Sequence, residues 1–112
     1  WTIPLNMRVF GTAIAHEEII YFGTFDGRVI GVDYLSGETK WEFRTQKSKE
    51  NYNSVYTDKG EFRKDFVLYG KDYLNSEKLI HSLGSILSSP VIDNNKLYFG
   101  SSDGVFYAVP LK

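Results

Sequence analysis

Short apolar runs separated by polar turns recur along this chain, and two of them are near copies. IIYFGTFDGRVIGVD at residues 19–33 and KLYFGSSDGVFYAVP at residues 96–110 share Tyr, Phe, Gly, Asp, Gly and Val at matching positions, 77 residues apart. A weaker copy lies between them, because DYLSGE at residues 33–38 returns as DYLNSE at residues 72–77. Self-similarity at a fixed interval indicates a repeat architecture. The pattern predicts three units, at about residues 1–40, 41–78 and 79–112.

Each unit is expected to contain short strands joined by turns. In the first unit, strands at residues 19–22, 28–33 and 40–45 alternate with turns at Asp26-Gly27 and residues 35–38, where glycine accepts positive φ. The third unit repeats this order, with a turn at Asp103-Gly104. Four antiparallel strands per unit predict an all-β fold of β-propeller blades, about three in number. We expect almost no helix, and we expect polar residues 46–53 to form a loop at the outer edge of the first blade.

The segment GVDYLSGETKW at residues 31–41 resembles the tryptophan-docking motif of the PQQ-like, or quinoprotein-type, β-propeller repeat. That motif reads Ala-x-Asp-x-x-x-Gly-x-x-x-Trp, and Gly31 replaces its alanine. The flanking phrases are also typical of the family, so the resemblance extends over residues 1–112 as a single propeller segment. It implies that Trp41 packs between neighbouring blades and that Asp33 and Gly37 shape a turn, without a chemical role.

The other two units depart from the motif. In the second unit, Ser76 stands where the glycine is expected and Leu79 where the tryptophan is expected, after a one-residue deletion; in the third, Pro110 replaces the aspartate. Residues 1–4, beginning with Trp1, match the tryptophan strand of an earlier repeat. Closed propellers generally have four to eight blades. We therefore expect this segment to belong to a larger propeller or to be completed by oligomerisation, with exposed seams that invite partners.

Composition narrows the classes of protein. Hydrophobic residues make up 42% and aromatic residues 16% of the chain, which suits packed sheets. The net charge is −1 and no basic stripe is present, so a nucleic-acid partner is not expected. No apolar run reaches the length of a membrane span. The absence of cysteine excludes a disulfide framework and a thiolate zinc site. The family resemblance implies a periplasmic or extracellular location in a bacterial envelope.

A search for catalytic groups assigns no residue to catalysis, cofactor binding or metal binding. His16, in a predicted turn, and His81, on a predicted strand at residues 79–83, have no ligand partner at metal-site spacing. The serines of residues 82–89 match the phrase that enters a blade and lack a nucleophile elbow. The recurrence of Asp26 and Asp103 beside Gly27 and Gly104 is explained by turn geometry. No cofactor is expected, and the enzyme question stays open, leaning towards a non-catalytic protein.

Two functions fit these observations. The first is a non-catalytic propeller module that acts as a protein-binding or assembly scaffold, in the manner of the outer-membrane assembly lipoproteins or of propellers appended to other domains. Its partners are proteins, further blades or a second copy, recognised through the loops around Asp26, Asn95 and Asp103. The alternative is a fragment of a quinoprotein dehydrogenase that oxidises alcohols or sugars with pyrroloquinoline quinone and calcium. Such enzymes stack the quinone against a vicinal disulfide, for which this chain has no cysteines.

Overall fold

A computed structural model describes residues 1–5, 7–9, 11–59, 61–64, 73–86 and 88–111. The strands form two groups, and the described residues between these groups contain two α-helices and a 3-10 turn. The elements are β1 (Ile14–His16), β2 (Ile19–Gly23), β3 (Arg28–Asp33), β4 (Thr39–Arg44), α1 (Gln46–Asn51), a 3-10 turn (Tyr52–Ser54), α2 (Tyr73–His81), β5 (Val91–Asp93), β6 (Lys96–Gly100) and β7 (Phe106–Pro110).

The first sheet is an antiparallel meander of four strands in the order β1-β2-β3-β4. Tyr21 pairs with Gly31, and Gly31 pairs with Trp41, so the motif tryptophan lies on the outermost strand. The tight turn between β1 and β2 places Glu17 and Glu18 at positive φ. The corresponding turn of the second sheet places Asn94 and Asn95 there, residues that tolerate this conformation better.

The second sheet has three antiparallel strands in the order β5-β6-β7. It repeats the first three strands of the first sheet, since Tyr98 takes the place of Tyr21 and Ala108 that of Gly31. Among the described residues, nothing pairs with the outer edge of β7, where the first sheet has β4. The predicted fold class of antiparallel, propeller-type sheets is confirmed by these two meanders.

The second predicted unit is not a blade in the part of the chain that the structure describes. The predicted loop at residues 46–53 contains α1, and the predicted strand at residues 79–83 is wrong because α2 continues to His81. Thr45 caps α1, with its Oγ1 accepting a hydrogen bond from the Ser48 amide at 3.1 Å. Along α2 and the two residues that follow it, Ser76, Ile80 and Leu83 are buried at helical spacing.

The contrast between DYLSGE and DYLNSE has a backbone cause. The first phrase closes its turn through Gly37, which has a φ of 74°. The second phrase has Ser76 at that position, and a residue with a Cβ is costly in the left-handed region. The backbone therefore keeps right-handed helical dihedral angles at Ser76 and forms α2. The expectation of almost no helix was wrong there.

The two sheets pack directly against each other, and the helical stretch lies outside this contact as an insertion between β4 and β5. One core cluster joins Tyr21 and Val29 of the first sheet to Leu97 and Phe99 of the second, together with Ile86 from the end of the insertion. The segments that precede β1 and β5 also contact each other, since the Thr12 amide donates to Ser89 Oγ at 2.7 Å. A second core cluster lies under the insertion and contains Met7, Val55, Tyr56, Ile80 and Leu83.

The N-terminal segment, predicted as an isolated outer strand, forms no strand over residues 1–5. It spans the length of β3 instead. Trp1 Nε1 donates to the Tyr34 carbonyl at 2.9 Å at one end, and the Leu5 carbonyl accepts from Arg28 Nη2 at 3.2 Å at the other. Its contacts with the first sheet are thus made through side chains, and no backbone ladder forms.

Gly23 and Gly100 are equivalent positions in the two sheets and differ in their surroundings. A Cβ on Gly23 would lie 2.3 Å from Ile86 Cγ2, whereas a Cβ on Gly100 would have its nearest neighbour at 3.8 Å. We expect Gly23→Ala to destabilise the fold by about 1–3 kcal/mol through overpacking, and Gly100→Ala to change stability by less than about 1 kcal/mol. Urea unfolding of the two variants measures this difference. Equal effects would contradict the packing of Ile86 against β2.

Candidate functional site

The turn between β2 and β3 lies where the insertion meets the first sheet. Asp26 is only 2% exposed there. Its carboxylate accepts hydrogen bonds from Arg28 Nε at 2.9 Å, from the Tyr56 hydroxyl at 2.8 Å and from the Thr24 hydroxyl. Arg28 Nη2 also forms an ion pair with Asp26 at 2.8 Å. A buried carboxylate requires such partners, so Asp26 links the sheet to the insertion.

The environment fixes the protonation of the groups around Asp26. Burial lowers the pKa of Arg28, but the hydrogen bond and the negative charge of Asp26 outweigh that effect, and the net shift is upward. Burial raises the pKa of Tyr56 well above its ordinary value, and the charge of Asp26 raises it further. Arg28 is therefore cationic and Tyr56 is a neutral hydrogen-bond donor at neutral pH.

Both ends of the insertion converge on the same turn. The Thr45 amide donates to the Gly27 carbonyl at 2.9 Å, and the Thr45 hydroxyl donates to the Leu83 carbonyl, also at 2.9 Å. The Ser48 hydroxyl donates to the Asp26 carbonyl at 2.8 Å. Gly27 has a φ of 78°, and a Cβ there would lie 2.0 Å from the Leu83 carbonyl oxygen. Only glycine satisfies both conditions.

An open pocket of about 260 Å³ adjoins this turn on the side of the N-terminal segment. Its floor is formed by Asp26 and Arg28, and one wall is formed by Tyr52 and Tyr56, whose rings stack with centroids 4.8 Å apart. The Arg44 guanidinium lies over the Tyr52 ring, 4.7 Å from its centroid. The remaining lining residues are Pro4 and Leu5. Cationic and aromatic groups in a pocket favour binding of a small polar group.

The predicted turn residues lie at two equivalent turns with different surroundings. Asp103 Oδ1 accepts from the Val105 amide at 2.9 Å and Oδ2 from the Tyr107 hydroxyl at 3.0 Å, and Gly104 has a φ of 85°. Asp103 is half-buried, whereas Asp26 is covered by the insertion. The expectation that Asp26 contributes to an exposed recognition loop was therefore wrong. Asn95 lies at the opposite end of the strands, because successive hairpin turns alternate between the ends of a sheet.

Asp33 is the last residue of β3, and Gly37 lies in the turn between β3 and β4. Asp33 Oδ1 accepts from the amides of Leu35 and Ser36, both at 2.9 Å. These hydrogen bonds lower the pKa of the Asp33 carboxyl, and the bond from the Ser36 amide has the largest effect on that pKa. A Cβ on Gly37 would lie 2.6 Å from the Trp1 ring, so the Trp1 ring packs directly against the backbone of Gly37.

Trp41 packs against the cluster shared by the two sheets. Its ring meets Tyr21 edge-on, with centroids 5.5 Å apart, and stacks on Phe43 at 6.5 Å. Gly31 allows this approach, because a Cβ there would lie 2.8 Å from Tyr21 Cε1. These contacts agree with the proposed packing role of Trp41, which stays a prediction.

The histidines and serines show no assembled site in the part of the chain that the structure describes. His16 is half-buried, and its Nε2 lies 3.9 Å from Glu17 Oε1. His81 is the last residue of α2. Ser82 and Ser85 donate to the backbone carbonyls of Leu79 and Phe25, and Ser89 accepts from the Thr12 amide. The described residues contain no group of three or more His, Cys, Asp or Glu that could hold a metal ion, and among them no helix is long and apolar enough to cross a membrane.

Sequence reasoning missed Arg28, Arg44, Thr45, Tyr52 and Tyr56. One signal for Arg28 is present in the repeat itself, because the second copy has Val105 at the same position. A charge that replaces an apolar strand residue in one copy indicates a local partner. No equivalent signal identifies Tyr56, because the segment around it belongs to the second unit and is not copied in the first or the third.

Comparison with known proteins places the fold in the β-propeller class. The chain is similar to the crystal structure of BamB from Moraxella catarrhalis, with a TM-score of 0.56 and 17% sequence identity. The match covers 98% of this chain and 26% of the BamB chain, so the chain spans about a quarter of that protein. No family model matches the sequence, and no curated protein matches it. At this identity, the likeness shows the fold alone.

Asp26 and Asp103 form a matched pair for testing the buried network. We expect Asp26→Asn to destabilise the fold by about 3 kcal/mol, because it leaves Arg28 without its buried counter-charge. Asp103→Asn, in the more open turn, should cost less than about 1.5 kcal/mol. Urea unfolding gives both values, and amide exchange should show the Asp26 variant loosening residues 45–56. Similar costs at the two positions would contradict the anchoring role of Asp26.

Tyr56 should make the fold sensitive to alkaline pH. Because its pKa is raised in the folded state, its contribution is fully present below the unfolded pKa of about 10 and is lost as pH rises through the folded value. Burial also raises the pKa of Tyr21 and Tyr107, so Tyr56→Phe should reduce the alkaline loss without removing it. Unfolding free energies measured between about pH 8 and pH 11 test this, with Tyr52→Phe as the control. An unchanged slope in Tyr56→Phe would contradict the assignment.

Proposed function

We propose that this chain is a propeller module that binds proteins and serves as an assembly scaffold. The observation that carries the proposal is the exposed face of the second sheet, together with its β7 edge, which no described strand covers. Phe106 is 71% exposed and Val91 is 58% exposed, and Tyr98 lies between them on the same face, its ring stacked with that of Phe106 at 6.4 Å. Apolar side chains at this exposure on one sheet face are typical of interaction sites.

The internal contact between the two sheets supports this proposal. The repeat makes Val91, Tyr98 and Phe106 equivalent to Ile14, Tyr21 and Val29 of the first sheet. In the first sheet, those three residues pack against the cluster that the second sheet completes. The exposed face thus has the side-chain pattern of a surface that another propeller-type sheet covers.

The edge of β7 adds a backbone component. In the first sheet, β4 pairs with β3 through Val29 and Phe43 and through Gly31 and Trp41. The same positions on β7 are Phe106 and Ala108, and within the described residues they have no strand beside them. An extended segment with alternating apolar side chains would pair there and cover part of the apolar face.

The partner in this proposal is a protein segment or a further blade, and a second copy is one such partner. The family resemblance of the sequence supports a location in the bacterial envelope, in the periplasm or outside the cell. The dehydrogenase alternative rests on that resemblance alone, and no contact among the described residues favours it.

A peptide copy of the chain's own outer strand tests the binding surface. We expect a synthetic peptide with the sequence of residues 37–46 to bind the folded chain saturably and to protect the β7 amides from exchange. Phe106→Asp should weaken this binding at least about tenfold, because it places a charge on the apolar face. Leu35→Asp is the matched control, since Leu35 is 72% exposed on a different surface. Absence of binding, or equal losses in the two variants, would refute the proposed surface.

A further inference from the structure

The pocket beside Asp26 contains one cation whose hydrogen-bonding capacity is not used by the described residues. On the floor of the pocket, the charges of Asp26 and Arg28 neutralise each other through their hydrogen bonds. Arg28 Nη2 also donates to the Leu5 carbonyl at 3.2 Å. Arg44, at the end of β4, lines the same pocket. No described residue accepts a hydrogen bond from the Arg44 guanidinium.

The Arg44 guanidinium is nevertheless held in position. Its central carbon lies 4.7 Å from the centroid of the Tyr52 ring, and its Nε lies 3.6 Å from Glu42 Oε1. Stacking on an aromatic face orients a guanidinium while leaving the N–H groups in its plane available. The Tyr52 hydroxyl also has no hydrogen-bond partner among the described residues, so two donors line this wall of the pocket.

The charged groups around Arg44 leave room for an anion. Among the described residues, Glu42 is the carboxylate paired with Arg44, but it lies 3.6 Å from Arg44 and 3.9 Å from Arg28, so it is shared between two cations without a close hydrogen bond to either. An entering carboxylate would accept from the Arg44 fork while Glu42 stays beside Arg28. The volume of about 260 Å³ suits a small group, and Leu5 and Tyr56 provide apolar surface for its carbon atoms.

We propose that this pocket binds a carboxylate group, with Arg44 as the main donor and the Tyr52 hydroxyl as a second donor. A guanidinium matches a carboxylate through two parallel hydrogen bonds, which favours this ligand over a spherical anion such as chloride. The carboxylate belongs either to a protein, as an acidic side chain or chain end, or to a small organic acid. The pocket is separate from the face of Phe106, so this proposal stands independently of the proposed scaffold function.

Nuclear magnetic resonance titrations of the folded chain at constant ionic strength test the proposal. The ligands are sodium acetate, sodium succinate, and one short peptide prepared with a free and with an amidated C-terminus. We expect saturable shifts at the Arg44 Nε–H and the Tyr52 amide with carboxylates, and none with sodium chloride. Tighter binding of the free peptide than of the acids identifies a protein source, and the reverse identifies a small acid. Equal binding of the free and amidated peptides would overturn the proposal, as would the absence of any saturable shift.

Two variants of β4 with the same change in charge complete the test. Arg44→Gln should weaken carboxylate binding at least about tenfold. Lys40→Gln should leave it unchanged, because Lys40 lies outside this pocket and pairs with Glu38 at 3.0 Å. Equal weakening in both variants would show a general charge effect and would overturn the proposal. If circular dichroism shows that Arg44→Gln is unfolded, the chemical-shift changes of the wild-type chain test the proposal instead. Changes centred away from Arg44 and Tyr52 would overturn the proposal.

Discussion

Direct packing of the two repeat sheets is the contact on which the rest of the structure depends. Tyr21 and Val29 meet Leu97 and Phe99 across this contact, and Ile86 enters it from the end of the insertion. Because the two sheets are neighbours in space, the long segment between β4 and β5 has to leave the contact between the sheets after β4 and return to it before β5. The position of the insertion, and of the open pocket beside it, follows from that requirement.

A buried ion pair joins the insertion to the first sheet. Asp26 and Arg28 are both largely buried. A buried ion pair adds little net stability, but removing one partner is costly because the other charge is left buried and unpaired. Its effect here is positional. The Tyr56 hydroxyl and the Ser48 hydroxyl both reach the Asp26 residue, so one turn of the sheet sets where the helical segment lies.

The molecule presents two surfaces of different chemistry. The face around Phe106 and Val91 is apolar and adjoins an open strand edge, which suits a broad contact with another sheet or strand. The pocket beside Arg44 is small, polar and lined by tyrosine rings. The first surface repeats the pattern of the contact between the two sheets, whereas the second depends on Leu5, Tyr52 and Tyr56, which lie outside the repeated strands.

The sequence by itself determined the two antiparallel meanders, their turns and their repeat relation, because a strand pattern and a glycine at a positive φ are local properties. It also indicated where the second unit departs, since Ser76 replaces the glycine that Gly37 provides for the turn. Only the tertiary structure decided that the first and third units pack together and that the described part of the segment between them contains α1 and α2. It also decided that Asp26 is buried while Asp103 remains half-buried. Those outcomes depend on contacts between residues such as Asp26 and Tyr56, which are 30 positions apart and share no repeat, so no local pattern could predict them.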